Sequence, residues 1–315
     1  VYRFTRIYGG GPWDIDARGP LGEPGVDVKV DDYLLQVNGI APDPDKAVWA
    51  AFLGLAGTTV ELTVSDKPEM DDEARTVLVE AAGGEGRIRY RHWVETNRAY
   101  VEEKSGGKVG YIHVPDTGVR GQNELVRQYY GQVHKDALIV DERWNGGGQI
   151  PTRFIEMLNR PITNYWSVAG DYTWPWPFDA HQGPKCMLIN GSAGSGGDAF
   201  PRYFRQAGLG KLIGRRTWGG LVGISGVPGL VDGAGVTVPA FAYFDKDGTW
   251  GVEGYGVAPD VEVMDDPALM ADAGDPQLDY AVDHMLQEIQ SNGYKAPKRP
   301  AYPDRSGMGI TVEDR

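Results

Sequence analysis

The sequence predicts an α/β protein (α+β in overall arrangement) built in two parts, a small β-rich domain over residues 1–82 and a larger layered domain over 86–290, followed by a polar tail over 291–315. Three observations lead there. Up to about Glu80, apolar residues alternate with polar ones at the period of two expected of half-buried strands. Ala81–Gly86 then breaks the composition with a Gly-rich link. Beyond it, short apolar runs alternate with stretches of helical spacing, the pattern of strand and helix units that stack into a layered sheet.

Composition narrows the function before any motif is weighed. The 315 residues carry a formal charge of −13, which argues against nucleic acid or an anionic membrane as a partner. No apolar run approaches the roughly 20 residues that span a bilayer, and no leader pattern is visible. A cytoplasmic setting is the expectation. Cys186 is the single cysteine, so no intrachain disulfide forms, and its place in an apolar run makes it a small buried hydrophobe. The pattern implies no metal and no organic cofactor. Val1 enters directly into an alternating stretch, Val1–Ile7, as expected of a piece of a longer chain.

In the first part, Gly19–Ile40 (GPLGEPGVDVKVDDYLLQVNGI) ends in Asp-Tyr-x-x-x-x-Asn-Gly, with Asn38-Gly39 a strong turn signal after Leu34–Val37. Asp45–Leu55 reads as a helix with Val48, Phe52 and Leu55 on one face and Gly57 closing it. Val60, Leu62 and Val64 mark a strand, and Thr76–Val79 another. This stretch resembles the core of a PDZ domain. Such domains bind extended peptides by strand addition; packing against a neighbour fits the same residues. The usual carboxylate-binding glycine loop is not found, so a C-terminal ligand is not expected.

In the second part, Arg91–Lys104 reads as a helix stopped by Gly106-Gly107. Strand Val109–Val114, helix Glu124–Val133, strand Ala137–Val140 and helix Ile150–Asn159 follow. Tyr165–Pro184 is aromatic and Pro-rich and reads as a surface loop near the site. Strand Lys185–Asn190 and helix Ala199–Gly208 repeat the unit. Asp275-Pro276 caps a last helix with Leu278, Val282, Met285 and Ile289 on one stripe, for core or subunit contact.

The chemistry concentrates in Lys185–Arg202, KCMLINGSAGSGGDAFPR. Ser195 falls between a buried strand and a helix N-terminus, where unpaired backbone N–H groups and the positive end of the helix dipole can hold a developing oxyanion. A serine in that place is also an ordinary helix cap. Three further blocks decide between the readings: Asp141–Gly148 (DERWNGGG), Gly210–Gly220 (GKLIGRRTWGG) and Gly251–Asp260 (GVEGYGVAPD). In this order, the four blocks closely resemble the C-terminal catalytic domain of the tricorn family of serine peptidases, related to the C-terminal processing proteases. The resemblance runs from about Gly86 to about Glu288.

That resemblance implies a crotonase-like ββα superhelix, oligopeptide substrates and a homo-oligomer in the full-length protein. It implies Ser195 as the nucleophile of the AGS-x-G-D motif, and Gly148 and Gly196 as oxyanion donors. Asp stands in the family where Gly196 stands here, a change that keeps the backbone N–H. Glu253 matches the acid that completes a Ser-His-Ser-Glu set. The base is harder to place. The processing proteases use a lysine about 25 residues after the serine, and here that count reaches Gly220; Arg215 and Arg216 stay protonated and cannot accept a proton. His92, His113, His134, His181 and His284 do not match the family's Ser-His pair, which lies in a segment N-terminal to the PDZ domain. The base is therefore expected there, and the isolated chain is expected to be inactive. An Asp that sets a basic P1 preference in the family corresponds, by gapless counting from Gly148, to Trp166, which favours a bulky apolar P1 residue; a shifted alignment would put Asp171 there instead. A catalytically inactive peptide-binding module is the alternative to a peptidase.

Overall fold

The computed structural model describes residues 1–11, 13–168, 172–224, 228–271, 274–302 and 313. It divides into two compact units, Val1–Tyr100 and Val101–Arg315.

The first unit is an antiparallel four-stranded sheet in the order β1 (Tyr2–Arg3), β2 (Tyr33–Val37), β3 (Thr59–Ser65) and β4 (Arg75–Glu80). Its core is the alternating set that the sequence marks: Leu34, Val37, Val60, Leu62, Val64, Val77 and Val79. Asn38 and Gly39 both take positive φ, 50° and 77°, as the Asn-Gly turn requires. The helix expected over Asp45–Leu55 is corrected to a single 3₁₀ turn, Val48–Phe52. Ala47 and Leu53, on either side of the turn, both hold extended backbone, so the coil does not continue in either direction. Val48, Phe52 and Leu55 nevertheless pack on the core as their spacing demands. Helix α1 (Gly86–Lys104) begins five residues before Arg91 and runs through the division.

The second unit is built on a five-stranded, all-parallel sheet in the order β11-β10-β9-β6-β5. Its strands are β5 (Val109–His113), β6 (Ala137–Asp141), β9 (Lys185–Ile189), β10 (Gly210–Gly214) and β11 (Val261–Glu262). Every residue of β5, β6 and β9 is buried, which is why they read as continuous apolar runs rather than alternating ones. The strands follow one another across the sheet without reversal. Right-handed crossovers in such an order place their helices on one face. Accordingly α2 (Val119–Tyr130), α3 (Thr152–Leu158) and α4 (Gly196–Gln206) share one core, in which Leu125, Tyr129, Phe154, Phe200 and Phe204 meet Ile112, Leu138, Val140, Met187, Ile189 and Leu212. Truncating one of these fully buried side chains to Ala costs about 2–5 kcal/mol.

After the short α5 (Pro267–Ala271), α6 (Pro276–Asn292) packs on β5, β6, β9 and β10 through Leu278, Ala281, Val282 and Met285, so the expected stripe is a core contact. Asp275 caps it by accepting from the Leu278 N–H at 3.0 Å.

Tyr165–Pro184, read as a loop, instead contains an antiparallel hairpin, β7 (Asn164–Ser167) with β8 (Thr173–Trp176), in which Trp166 lies opposite Trp174. Its aromatic and Pro-rich strands hide the period of two, and it stands half-exposed as a two-stranded sheet among the described residues. The described part of the tail returns to this hairpin, where Tyr302 donates to the Val168 carbonyl at 3.0 Å and Arg299 to the Ser167 hydroxyl at 3.2 Å. Asp171 lies outside the described residues, as do 303–312 and 314–315 of the tail. No helix of the described residues is long and apolar enough to cross a membrane.

Candidate active site

β6 and β9 are neighbours in the sheet, so the loops leaving their C-terminal ends lie side by side. The β6 loop carries the glycine run and the β9 loop carries Ser195, the ordinary position for a site on a parallel sheet.

Ser195 sits at φ 57° and ψ −116°. A helix cap takes extended backbone; this serine is strained, and non-Gly residues are held so only when their surroundings enforce it. Two constraints are visible. The Ser195 N–H donates to Asp198 Oδ2 at 2.8 Å. Across the gap, a Cβ on Gly147 would lie 2.6 Å from Ser195 Cβ and 3.0 Å from its Oγ, so only glycine, at φ +81°, lets the β6 loop approach the hydroxyl this closely.

Asn145 joins the two loops. It donates to the Val114 carbonyl at 3.2 Å, accepts from the Gly147 N–H at 2.9 Å, and its own carbonyl accepts from the Gly194 N–H at 3.1 Å. Asn190 does the same from the other side, its Oδ1 accepting from the N–H groups of Trp144 and Ser192. Thr117, in the loop after β5, pairs with the glycine run: its N–H donates to the Gly147 carbonyl at 2.8 Å, and its carbonyl accepts from the Gln149 N–H at 3.4 Å. The structure thus brings Ser195, Gly196 and Gly148 into one cluster. The N–H groups of Gly148 and Gly196 donate to no acceptor among the described residues.

Asp198, fully buried, ties the serine to the third block. Its Oδ1 accepts from the Thr217 hydroxyl at 2.6 Å and the Gly219 N–H at 2.7 Å; its Oδ2 accepts from Ser195 and, at 3.1 Å, from the Gly220 N–H. Burial raises its pKa, and these hydrogen bonds offset that only in part. Glu253 holds the same loop from its far side, its Oε2 accepting from the N–H groups of Leu221 at 2.6 Å and Val222 at 2.7 Å. Ser195 and Glu253 are therefore connected through Asp198 and residues 219–222.

Beneath the loops, buried Arg143 bonds both oxygens of Asp141 and both of Asp275, locking the end of β6 to the cap of α6. Burial raises the Asp141 pKa, but the charge and hydrogen bonds of Arg143 more than reverse this and leave it below the ordinary value.

Among the described residues, no base accepts from the Ser195 hydroxyl. His113 is buried against the Arg143 carbonyl, and burial lowers its pKa. His181 and His284 line a cavity of about 440 Å³ at the N-terminal ends of β9 and β10, the end of the sheet opposite Ser195. Burial pushes His181 down to about 3. His134 follows the far end of α2, and His92 packs edge-on against Tyr8 in the first unit. Arg216 donates to the Tyr255 carbonyl and Arg215 pairs with Asp265. Trp166 is half-exposed on β7 and is not brought against Ser195 by any contact among the described residues. The described residues contain no cluster of three His, Cys, Asp or Glu side chains able to hold a metal ion.

Sequence reasoning missed Thr117, Asn145, Asn190 and the role of Asp198. The last of these stands in the AGS-x-G-D pattern itself, and Asn145 immediately precedes the glycine run; nothing local marks Thr117.

Residues 108–263 match peptidase family S41, and residues 1–83 match the tricorn protease PDZ domain. The chain is a tricorn-type member of peptidase family S41. Tricorn protease of Thermoplasma acidophilum is 36% identical over 301 residues, 95% of this chain and 28% of its own length. Tricorn protease homolog 1 of Streptomyces coelicolor is 39% identical over 303 residues, 96% of this chain and 28% of its own. A crystal structure of the tricorn protease superposes with a TM-score of 0.84 over 91% of this chain, at 36% identity and over 28% of that chain. The chain thus spans under a third of the length of these tricorn relatives, and its fold is the tricorn PDZ and peptidase fold.

Proposed function

We propose that this chain supplies the nucleophile and oxyanion site of a serine peptidase that cleaves oligopeptides. The observation that carries the reading is the strained Ser195 at the start of α4, with the glycine run pressed against its hydroxyl. In the reaction, Ser195 Oγ attacks the scissile carbonyl carbon as its proton passes to a base. The N–H groups of Gly148 and Gly196 hold the oxyanion. The C–N bond then breaks, the amine leaves with the proton, and water hydrolyses the acyl-enzyme ester. Gly196 is the first residue of α4, so its N–H is one of the helix's unpaired donors and is aided by the dipole.

The base in this reading is a histidine from a segment outside this chain. Glu253 is the distal acid, acting through the loop it holds. A bulky apolar P1 preference follows from Trp166, and the exposed indole of Trp218 supports it: a Cβ on Gly194 would lie 2.5 Å from that ring, so an apolar surface flanks the nucleophile. A cytoplasmic homo-oligomer is the setting that fits this reading.

That no base accepts from Ser195 among the described residues leaves room for a second reading, a catalytically silent peptide-binding module. Ser195→Ala in the full-length protein separates the two. Loss of a nucleophile from a cooperative set costs on the order of 10⁶ in rate, so cleavage is expected to vanish with binding retained. Cleavage at the wild-type rate in that variant would remove Ser195 from the mechanism.

A further inference from the structure

We propose that the Thr117 hydroxyl is a third hydrogen-bond donor to the oxyanion formed at Ser195, an inference that rests on the peptidase reading. Thr117 is 1% exposed, and its Oγ1 has no hydrogen-bond partner among the described residues. A buried hydroxyl without a partner is destabilising and calls for an explanation, such as a group that arrives only during turnover.

Its position says which group. A Cβ on Gly196 would meet Thr117 Oγ1 at 2.0 Å, so the hydroxyl occupies the space a side chain at 196 would take, next to the residue that carries one of the two oxyanion amides. The backbone of the same residue fixes the other donor: Thr117 bonds Gly147 and Gln149 on either side of Gly148. One residue therefore touches both halves of the oxyanion site.

The hydroxyl is mounted rigidly. Asp116 Oδ1 accepts from the N–H groups of Gly118 at 2.8 Å and Gly121 at 2.9 Å, which fixes the entry to α2. α2 begins two residues after Thr117, so the positive ends of both α2 and α4 lie at this point. A threonine hydroxyl rotates about its C–O bond and can turn its hydrogen to an oxygen that becomes negative between the Gly148 and Gly196 amides. No proton is transferred; the donor only stabilises charge.

The test uses the full-length protein and a peptidyl-Phe aminomethylcoumarin substrate. Thr117→Val keeps the shape and removes the hydroxyl. It is expected to lower kcat by about 10²-fold, the scale of one lost oxyanion donor, with KM nearly unchanged and the urea midpoint no lower than wild type. Thr117→Ser, which keeps the donor, is expected to stay close to wild type. Thr117→Ala is a second hydroxyl-free variant that must show the same loss in kcat if Val does not fold there. Wild-type kcat in either hydroxyl-free variant overturns the assignment, as does an equal loss in Ser and Val, which would mean packing rather than donation. Ser195→Ala, assayed in parallel, separates the two claims. If it still turns over substrate, the peptidase reading fails; if it is inactive while Thr117→Val is fast, only the Thr117 assignment fails.

Discussion

Glu142→Gln is expected to stabilise the protein increasingly as pH rises. Glu142 is fully buried, and neither carboxyl oxygen has a hydrogen-bond partner among the described residues. Its backbone is fixed, the N–H donating to the Leu188 carbonyl at 3.1 Å and the carbonyl accepting from Asn145 at 3.0 Å. Burial first, then the charges of Asp198 and Asp141, hold its pKa well above the carboxylate range. The folded protein therefore keeps a proton that the unfolded chain releases from about pH 4.3 upward. With more protons bound in the folded state, stability falls as pH rises, by about 1.4 kcal/mol per unit until the folded pKa is reached. Glutamine does not titrate, so the variant escapes this loss. Between pH 4.5 and 6.5 its advantage is therefore expected to grow, by at most about 1.4 kcal/mol per pH unit. Urea unfolding at half-unit pH steps measures this, and the slope matters rather than the offset, since the Gln amide carries its own constant burial cost. A difference that stays flat across this range would show that Glu142 is ionised in the folded protein, and would refute the reasoning.

Three shorter tests bear on the site. Asp198→Asn presents an NH₂ to groups that themselves donate, leaving at least one buried donor unsatisfied; a loss of about 1–3 kcal/mol or more in urea unfolding is expected, together with a large drop in turnover as Ser195 is released. Glu253→Gln keeps an acceptor for the Leu221 and Val222 amides, so folding is expected to hold while turnover falls less than in Ser195→Ala; a change in stability with none in turnover would make Glu253 structural. Trp166→Asp is expected to move P1 preference toward Lys and Arg by roughly tenfold or more, the factor for about 1.4 kcal/mol, in a fluorogenic peptide panel; an unchanged panel would take Trp166 out of the P1 pocket.

The parts of the fold that were legible are those whose burial is uniform. Val109–Val114, Ala137–Val140 and Lys185–Asn190 announce themselves as buried parallel strands because both faces are covered, and α6 is marked by its Asp275-Pro276 cap. The β7–β8 hairpin was hidden because its strands are stabilised by pairing and half-exposed rings, which leave no clean period. Asp45–Leu55 has helical spacing, but extended backbone at Ala47 and Leu53 confines it to one turn. In the site, Ser195, Gly148, Gly196 and Glu253 come from local blocks that can be matched one at a time. Thr117 and Glu142 could not be found that way. What singles them out is an unpartnered polar atom in a closed environment, and that exists only once β5, β6 and β9 lie side by side.

The most direct test of the central claim is to find where a fluorophosphonate attaches. The full-length protein is labelled, digested with trypsin, and the Cys186–Arg202 peptide is sequenced by mass spectrometry; it contains both Ser192 and Ser195, and fragment ions tell them apart. The expected result is one phosphonyl adduct, on Ser195, absent from Ser195→Ala. An adduct on Ser192, or undiminished labelling in Ser195→Ala, would contradict the assignment of Ser195 as the nucleophile.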